Sequence, residues 1–376
     1  MLIKQNNINM ENNSKGWEID LLPIKESKQS GDCILLRFGD LFAGKQKQNV
    51  FIIDGGFSDT AKSIKEHLKK YYNCYYDGVY HITGMILTHP DQDHISGLVE
   101  LLIDEQIKIS NLIVNAPWKT LTRSWFKDGR ITNNSLKVEL QDVFNKLNEL
   151  ITLAIERHNA KILYGVDSLG ELTCNGAKFT ILGPDKMFYN TCMANSEKTK
   201  DKSEDVKSVE KMTVKSLDKE ELYIPGKIKW AEIDSTSAIN ESSIVFLFEY
   251  EGFKMLFTGD CGRIGLKAAI DYADRHSINL ADTQVIKMPH HGSRHNIDLA
   301  FLDRFTHMNR ACYISCAKDD EGHHPSKRLV NILNEKGFKV YSTSGSTLHR
   351  SSNAPDRGWV TAKKIECYPT MEKLDM

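Results

Sequence analysis

A short segment, residues 88–94, carries four side chains that can bind a metal ion. Its potential ligands are His89, Asp91, Asp93 and His94. The largely apolar residues 82–87 precede the segment and residues 95–99 follow it, a pattern that predicts a buried strand, a loop and the start of a helix. Imidazoles and carboxylates this close together favour a cation as their common partner. A polar surface turn with an incidental pair of histidines is the alternative interpretation of the same residues.

The same arrangement recurs elsewhere in the chain, where an apolar stretch ends in a residue of the ligand type. The residues concerned are Asp54, Asp260, His290, His291, His323 and His324. Strands that alternate with helices form layered α/β folds, in which the ends of several strands can meet at one rim. The repetition therefore predicts that these residues converge on one metal site, and it is more specific than any single motif.

The composition narrows the class of protein. The 376 residues include 49 basic and 50 acidic side chains, and 40% are apolar, which is typical of a globular protein with a sizeable core. A net charge of −1 gives no overall attraction to nucleic acid or to a membrane, so any polyanion must contact a local patch. The eight cysteines form no CxxC pair, and we find no signal peptide and no membrane-spanning run, so we expect reduced thiols in the cytoplasm.

Periodicity predicts the elements that would position these residues. The predicted strands are 17–21, 34–38, 50–53, 82–87, 109–114, 161–164, 171–174, 178–182, 243–250, 253–257, 283–288, 311–315 and 339–342. The predicted helices are 59–72, 96–104, 135–157, 264–274, 297–305 and 326–336. This alternation favours an α/β fold.

The composition and periodicity of the sequence divide the chain into three parts. Residues 1–16 are predicted to be a flexible N-terminal tail and residues 17–350 a single domain. Within that domain, residues around 186–239 are rich in lysine and glutamate and are predicted to be a polar insertion. Residues 351–376 would be a C-terminal extension, in which 358–365 has the pattern of an edge strand.

Seven short motifs follow one another along the domain. They are Gly31-Asp32, Ile53-Asp54-Gly55-Gly56, the segment 89–94, Asn240 with Ser243, Thr258-Gly259-Asp260, the segment 287–293 (KMPHHGS), and Gly322 with His324-Pro325. In this order they resemble the metallo-β-lactamase fold superfamily, and within it the stand-alone relatives of the β-lactamase-like domain of the DNA-uptake channel protein ComEC. The resemblance implies an α/β fold, the metallo-β-lactamase αβ/βα four-layer sandwich. It does not extend to DNA transport, because no transmembrane channel accompanies the motifs.

The resemblance also implies a role for each potential ligand. His89 and Asp91 would hold one divalent ion, and Asp93 and His94 would hold a second. Asp260 would bridge the two ions, and with Asp93 it is a predicted catalytic residue.

Further residues would complete the coordination. One of the adjacent histidines, His290 or His291, would bind the second ion, and the position of His291 before a glycine favours His291. Asp54 and Asp32 would orient the metal-binding side chains. The superfamily's third motif carries a histidine, but the corresponding segment 182–185 has none, so Asp185 or a water would take that place, or the first ion would bind weakly.

Other side chains are candidates for handling the substrate. His324 or His295 would protonate a leaving alkoxide. Ser293 follows the ligand histidines on a turn, where a hydroxyl and backbone amides can cradle a phosphate. Asn240 and Ser243 are also predicted to bind substrate.

Residues 117–131 combine aromatic and basic side chains. Trp118, Trp125 and Phe126 are interleaved with Lys119, Arg123, Lys127 and Arg130. A helix would place the basic residues on one face. Aromatic rings stack on bases while cations meet phosphates, so Lys119 and Arg123 are predicted to contact a polynucleotide. An amphipathic loop with buried tryptophans is the alternative.

The sequence thus predicts a dinuclear metal-dependent hydrolase of the phosphodiesterase or nuclease type, whose nucleophile is a hydroxide that bridges two ions. The ions would be Zn²⁺ or Mn²⁺, because an aspartate in place of a superfamily histidine shifts the preference toward manganese. The alternative is a small-molecule hydrolase acting on a cyclic nucleotide, a phosphocholine-type ester, a lactone or a thioester. A non-catalytic module with a structural metal fits less well, because structural sites close their coordination without extra carboxylates. No membrane partner is predicted.

Overall fold

The computed structural model describes residues 15–24, 28–43, 47–126, 132–199 and 236–369. The strands in these ranges are β1 (Lys15–Leu21), β2 (Cys33–Asp40), β3 (Gln48–Gly55), β4 (Tyr75–Tyr76), β5 (Val79–Ile82), β6 (Gly84–Ile86), β7 (Ile107–Ile109), β8 (Asn111–Val114), β9 (Lys161–Tyr164), β10 (Gly170–Cys174), β11 (Ala177–Gly183), β12 (Val245–Tyr250), β13 (Phe253–Phe257), β14 (Val285–Lys287), β15 (Ala311–Ile314), β16 (Lys339–Ser342) and β17 (Leu348–Ser352).

The α-helices of the same ranges vary from one turn to about three. They are α1 (Thr60–His67), α2 (Gln92–Ile103), α3 (Pro117–Thr120), α4 (Asn133–Val143), α5 (Asn145–Glu156), α6 (Lys186–Asn195), α7 (Ala238–Glu241), α8 (Arg263–Arg275), α9 (Leu299–Leu302) and α10 (Lys327–Glu335). Within the described ranges no helix has both the length and the apolar composition needed to cross a bilayer.

The described strands form two seven-stranded sheets and a small three-stranded one. The first sheet has the order β17-β1-β2-β3-β6-β8-β9 and the second has the order β10-β11-β12-β13-β14-β15-β16. In each large sheet the strands from β3 or β13 onward are parallel to one another, and the remaining strands are antiparallel. Parallel neighbours matter for the site, because the loops that follow them leave the sheet at the same edge.

Aromatic side chains fill the space between the two sheets. Alternate residues of each strand point inward, as the period of two requires. The Phe179 ring from the second sheet lies 4.7 Å from the Phe51 ring of the first sheet and 5.1 Å from Phe248 beside it. These rings belong to one buried cluster that joins both sheets.

The outer faces of the two sheets are covered by helices. Residues of α1, α2, α4 and α5 share a core with the outer face of the first sheet. Residues of α8 and α10 do the same on the second sheet. The layers are therefore helix, sheet, sheet, helix, and the predicted αβ/βα four-layer sandwich is confirmed.

Two predicted helices differ from the observed ones. The predicted helix 135–157 is interrupted at Phe144, whose backbone leaves helical geometry (φ −105°, ψ 48°), because this buried ring packs into the core between α4 and α5. The predicted helix 59–72 is α-helical only as far as His67 and continues as one wider π turn, Leu68–Tyr72. In both places packing of a buried aromatic residue overrides the local periodicity.

Three further predictions differ from the observed elements. Residues 186–195 of the predicted polar insertion form α6, which buries Tyr189 and Met193, while residues 200–235 lie outside the described ranges. The predicted helix 297–305 is the single turn α9. The predicted edge strand 358–365 is wrong, since no strand forms across the described residues 353–369; there the Ile365 amide donates to the Val340 carbonyl at 2.8 Å. Residues 1–14 of the predicted tail are not described, and β1 begins at Lys15.

Candidate metal centre

The ligand-type residues meet at the edge where the parallel strands of both sheets end. Asp54 lies at the end of β3, and the segment 88–94 follows the neighbouring strand β6. In the second sheet Asp260 follows β13, and His290 and His291 follow the parallel strand β14. Because the inter-sheet core holds the two sheets face to face, the loops from both come together. The site thus lies where the repeated strand-end pattern predicts it.

Four of these side chains form one compact cluster. Potential ligand atoms of Asp93, His94, Asp260 and His291 all lie within 4.8 Å of one another. The His94 Nε2 atom is 3.5 Å from Asp93 Oδ2 and 3.4 Å from Asp260 Oδ2. The His291 Nε2 atom is 3.2 Å and 3.7 Å from the same two oxygens. The two carboxylates therefore lie between the two imidazoles, as ligands around a single ion would.

Hydrogen bonds behind the cluster fix how the two imidazoles face it. The Nδ1–H group of His94 donates to Asp54 Oδ2 at 2.8 Å. The Nδ1–H group of His291 donates to the Ser315 carbonyl at 2.9 Å. Each ring therefore presents Nε2 to the carboxylates, which is the orientation a metal ligand requires.

The other histidine of the pair points elsewhere. The Nδ1–H group of His290 donates to Asn296 Oδ1 at 3.2 Å, and burial lowers the pKa of His290 below its usual value. The sequence left open which of the two histidines joins the cluster, and the structure brings in His291. His290 remains beside it, with ring centroids 5.8 Å apart.

Asp54 supports the cluster with three hydrogen bonds. It accepts from the Thr88 amide at 2.8 Å, from the Thr88 hydroxyl at 2.7 Å and from His94. The Thr88 oxygen, having donated its proton to Asp54, accepts from His89 Nδ1–H at 3.2 Å. One buried carboxylate thereby orients two imidazoles, directly for His94 and through a hydroxyl for His89.

A second, less complete group lies beside the cluster. His89 Nε2 is 3.7 Å from Asp91 Oδ2, and Lys198 Nζ is 3.4 Å from the other oxygen of Asp91. Asp185, one of the predicted substitutes for the third-motif histidine, does not join this group. It is exposed and caps α6, where its carboxylate accepts from the Phe188 amide at 2.8 Å. Among the described residues this position thus offers two of the predicted ligands and a competing ammonium.

Buried imidazole nitrogens without partners test whether a metal fits. His89 Nε2 and His94 Nε2 are both buried and have no hydrogen-bond partner in the described structure. A buried polar atom without a hydrogen-bond partner lowers the stability of the fold by about 1–3 kcal/mol, so we expect these two nitrogens to bind a ligand. Once deprotonated, these two nitrogens and the neighbouring carboxylates form a donor set that suits Zn²⁺ or Mn²⁺.

The ionisation of the cluster follows from its charges. Burial alone lowers the pKa of His94, but the carboxylates of Asp260, Asp93 and Asp54 outweigh it and raise this pKa well above the usual value. Burial alone raises the pKa of Asp260, and the neighbouring His94 and His291 lower it well below the usual value. Without a metal the protons on the imidazoles balance the carboxylates, so binding of a metal releases protons and weakens as the pH falls.

His324 lies at the margin of the cluster and is held by a carboxylate that sequence analysis missed. Its Nδ1–H group donates to Asp320 Oδ2 at 2.9 Å, and the other oxygen of Asp320 accepts from the Ser30 hydroxyl at 2.7 Å. Its ring centroid is 5.5 Å from that of His290 and 6.0 Å from that of His291. The spacing of four residues between Asp320 and His324 was the available signal.

Three further predicted site residues, Ser243, Ser293 and Asn240, are buried near the cluster. The Ser243 hydroxyl accepts from the Asp260 amide, and the Ser293 hydroxyl accepts from the His295 amide, each at 3.2 Å. The Asn240 side-chain nitrogen is 3.5 Å from His290 Nδ1. Both hydroxyls thus fix the loops that carry the histidines and Asp260.

The stretch of aromatic and basic residues does not form a single helix. It contains the one-turn α3 and a separate 3-10 turn, Arg123–Trp125, joined by extended residues, so the predicted common basic face is wrong. Trp118 is buried, whereas Lys119 and Arg123 are exposed, and Lys119 Nζ lies 5.4 Å from the centre of the Tyr164 ring. Residues 127–131, with Lys127 and Arg130, lie outside the described ranges.

Comparison with known proteins gives one partial sequence match. No family model matches the chain. ComE operon protein 3 of Bacillus subtilis (strain 168) is 24% identical over 124 residues, which is 32% of this chain and 15% of that protein. The matched region is therefore a small part of the relative.

Several solved structures share the general arrangement. The metallo-β-lactamase fold protein YhfI from Bacillus subtilis is 9% identical, with a TM-score of 0.39, and the match covers 89% of this chain and 99% of that one. A diphosphatase from the PhnP family is 9% identical, with a TM-score of 0.37 and coverage of 90% and 98%. Tm1679, a metal-dependent hydrolase of the β-lactamase superfamily, is 12% identical, with a TM-score of 0.40 and coverage of 89% and 100%. At these scores the likenesses do not bear on function.

The hydrogen bonds of Asp54 generate a prediction about metal affinity. Asp54→Asn keeps the shape of the side chain but removes the charge and one acceptor, so His94 and His89 lose their fixed orientation. We expect the affinity for Zn²⁺ to fall about 10-fold to 100-fold, as is typical when a group behind a ligand histidine is lost. Competition with a chromophoric chelator measures it. The exposed Asp59→Asn is the matched control, and equal affinities in the two variants would contradict the role of Asp54.

Proposed function

We propose that the protein is a metal-dependent phosphodiesterase that acts on nucleic acid. The observation that carries the proposal is the cluster of Asp93, His94, Asp260 and His291, with the unpaired His89 Nε2 beside it. Its donors include more carboxylates than a closed structural site needs, which is typical of sites that bind a second ion or a substrate. We propose two divalent ions, Zn²⁺ or Mn²⁺, one in the cluster and one at His89 and Asp91.

Divalent ions in such a site supply positive charge for the phosphoryl oxygens and activate a water molecule. The chain's own contribution is to hold the ligands in place before substrate arrives. Asp260 and Asp93 each direct one oxygen between His94 and His291, and the His290 amide holds the other oxygen of Asp260. Fixed charges of this kind cost no reorganisation during the reaction.

His324 is the proposed proton donor to the leaving oxygen. The Nδ1–H group of His324 donates to Asp320, so the protonated ring would deliver its other proton from Nε2–H, and its side chain is one-fifth exposed, so that substrate can reach it. The side chain of Asp320 is 4% exposed, and this buried carboxylate holds the ring in one orientation and balances the charge of the imidazolium. Asp320 therefore positions His324 and does not itself meet the substrate.

The exposed Lys119 and Arg123 are the residues that favour a long anionic substrate. Both follow β8, whose last residue, Val114, lines a small cavity together with His89. We propose that these cations meet phosphates that flank the scissile one, where each contact would release counterions. A small-molecule phosphodiester would not need them.

The first prediction from this function concerns turnover. With Zn²⁺ or Mn²⁺ added, the wild-type protein should cleave DNA or RNA as well as bis-p-nitrophenyl phosphate. Asp260→Asn should lower both rates by at least about a hundredfold, because it removes a charge from the reacting centre. The exposed Glu335→Gln is the matched control for loss of one negative charge. A protein that binds metal and cleaves no phosphodiester would contradict the proposal, and activity on lactones or thioesters would favour the small-molecule alternative.

The second prediction separates polynucleotides from small esters. Lys119→Glu/Arg123→Glu should weaken polynucleotide cleavage and flatten its dependence on salt, because each lost phosphate contact reduces counterion release. Hydrolysis of bis-p-nitrophenyl phosphate should stay unchanged. Lys363→Glu/Lys364→Glu makes the same change of charge on the exposed C-terminal residues and should leave both activities intact. If both activities fall together in the first variant, Lys119 and Arg123 have a structural role.

A further inference from the structure

A buried lysine lies behind the metal-binding cluster. Lys287, the last residue of β14, is 1% exposed, and its ammonium forms an ion pair with the equally buried Asp32. The same ammonium donates to the Gly259 carbonyl at 3.2 Å and lies 3.7 Å from Asp260 Oδ1. A buried ammonium is unfavourable unless it is paired and hydrogen-bonded, so a defined set of partners holds it here.

Lys287 also contacts a second group of potential ligands. Ligand atoms of Asp32, Asp54 and His94 also lie within 4.8 Å of one another, all of them buried. Asp54 already accepts hydrogen bonds from Thr88 and His94, and Asp32 is paired with Lys287. The Lys287 ammonium therefore supplies positive charge to this group from within the protein.

The lysine also acts on the turn that carries Asp260. Gly259 has a left-handed backbone (φ +52°), and a Cβ atom at that position would lie 2.8 Å from the Thr88 side chain. The Thr258 hydroxyl donates to the Lys287 carbonyl at 2.7 Å, while the Lys287 ammonium donates back to Gly259. Two reciprocal hydrogen bonds thus join the ends of β13 and β14 at this tight turn.

The two oxygens of Asp260 consequently have different partners. Oδ1 accepts from the His290 amide at 3.1 Å and faces the Lys287 ammonium. Oδ2 is left to face His94 Nε2 and His291 Nε2. The protein therefore holds one oxygen and presents the other to the cluster.

We propose that Lys287 is a positioning residue for the metal: its ammonium, anchored by Asp32, fixes the Gly259–Asp260 turn so that Asp260 directs one defined oxygen at the ion. The role rests on the metal-dependent function proposed above. The competing explanation is that Lys287 only neutralises Asp32 and has no effect on the ligands.

The double variant K287M/D32N separates the two explanations. It removes one positive and one negative charge together, so the net charge around the metal stays the same and no unpaired charge is buried. If Lys287 positions Asp260, the affinity for Zn²⁺ falls about 10-fold to 100-fold. Competition with a chromophoric chelator at fixed pH measures this without any assay of activity. The visible spectrum of the Co²⁺-loaded protein should change as well, because the arrangement of ligands changes.

A second buried pair provides the matched control. Arg37 and Glu18 form an ion pair on the first sheet, with side chains 2% and 0% exposed, and neither belongs to the cluster. The variant R37M/E18Q should lower the thermal stability and leave the affinity for Zn²⁺ unchanged. An equal loss of affinity in both double variants would mean that general destabilisation is responsible, and it would overturn the proposal.

The other possible results also test the proposed role of Lys287. Wild-type affinity in K287M/D32N would overturn the role of Lys287 while leaving the metal-dependent function intact. A wild-type protein that binds no divalent ion would overturn both. If K287M/D32N does not fold, K287Q/D32N takes its place, since it also removes both charges but keeps a polar side chain at position 287; the same loss is expected, because the shorter neutral amide does not reproduce the contacts of the ammonium with the Gly259 carbonyl and Asp260.

Discussion

Repulsion between carboxylates at one edge of the sandwich is the constraint on which the rest of the structure depends. Asp32, Asp54, Asp91, Asp93 and Asp260 come together there, and all but Asp91 and Asp93 are buried. Negative charges this close and this far from water are unfavourable unless cations balance them. The fold supplies one of these cations itself, as Lys287, and arranges the remaining oxygens and imidazoles for ions from solution.

The layered architecture brings these charged residues together. Parallel pairs of strands in each sheet bring the loops after β3, β6, β13 and β14 to one edge, and the aromatic core between the sheets fixes the distance across which they face each other. Behind the ligands, hydrogen bonds to the Asp54 carboxylate and the Ser315 carbonyl, and one from the His290 amide, determine which atom each side chain presents. The cluster is therefore formed by the fold before any ion arrives.

The sequence predicts the fold and the members of the cluster because their signals are local. A strand that ends in a ligand-type residue is visible in a single sequence, and its repetition implies convergence of the strand ends. The break at Phe144 and the helix at 186–195 were missed, because burial of aromatic residues in a shared core decides them. The contacts of Lys287 with Asp32 and of His324 with Asp320 depend on the packing of loops or strands, so the motifs named some of these residues without revealing their partners.

The two predicted metal positions are not equivalent. The cluster has four potential ligands, whereas His89 and Asp91 share their position with the Lys198 ammonium. The sequence indicated the weaker position, because segment 182–185 contains no histidine, but the competing ammonium is visible only in the structure. Whether a position holds an ion depends on the number of donors that meet there, and only the three-dimensional arrangement supplies that number.

The most direct test is anomalous X-ray diffraction from crystals grown with Zn²⁺ or Mn²⁺, measured on both sides of the absorption edge of the metal. The account predicts a strong anomalous peak bound by Asp93, His94, Asp260 and His291, at about 2.0–2.2 Å from their ligand atoms. Any second, weaker peak should lie between His89 and Asp91. A peak bound by other residues, or no peak at the cluster in crystals saturated with metal, would contradict it.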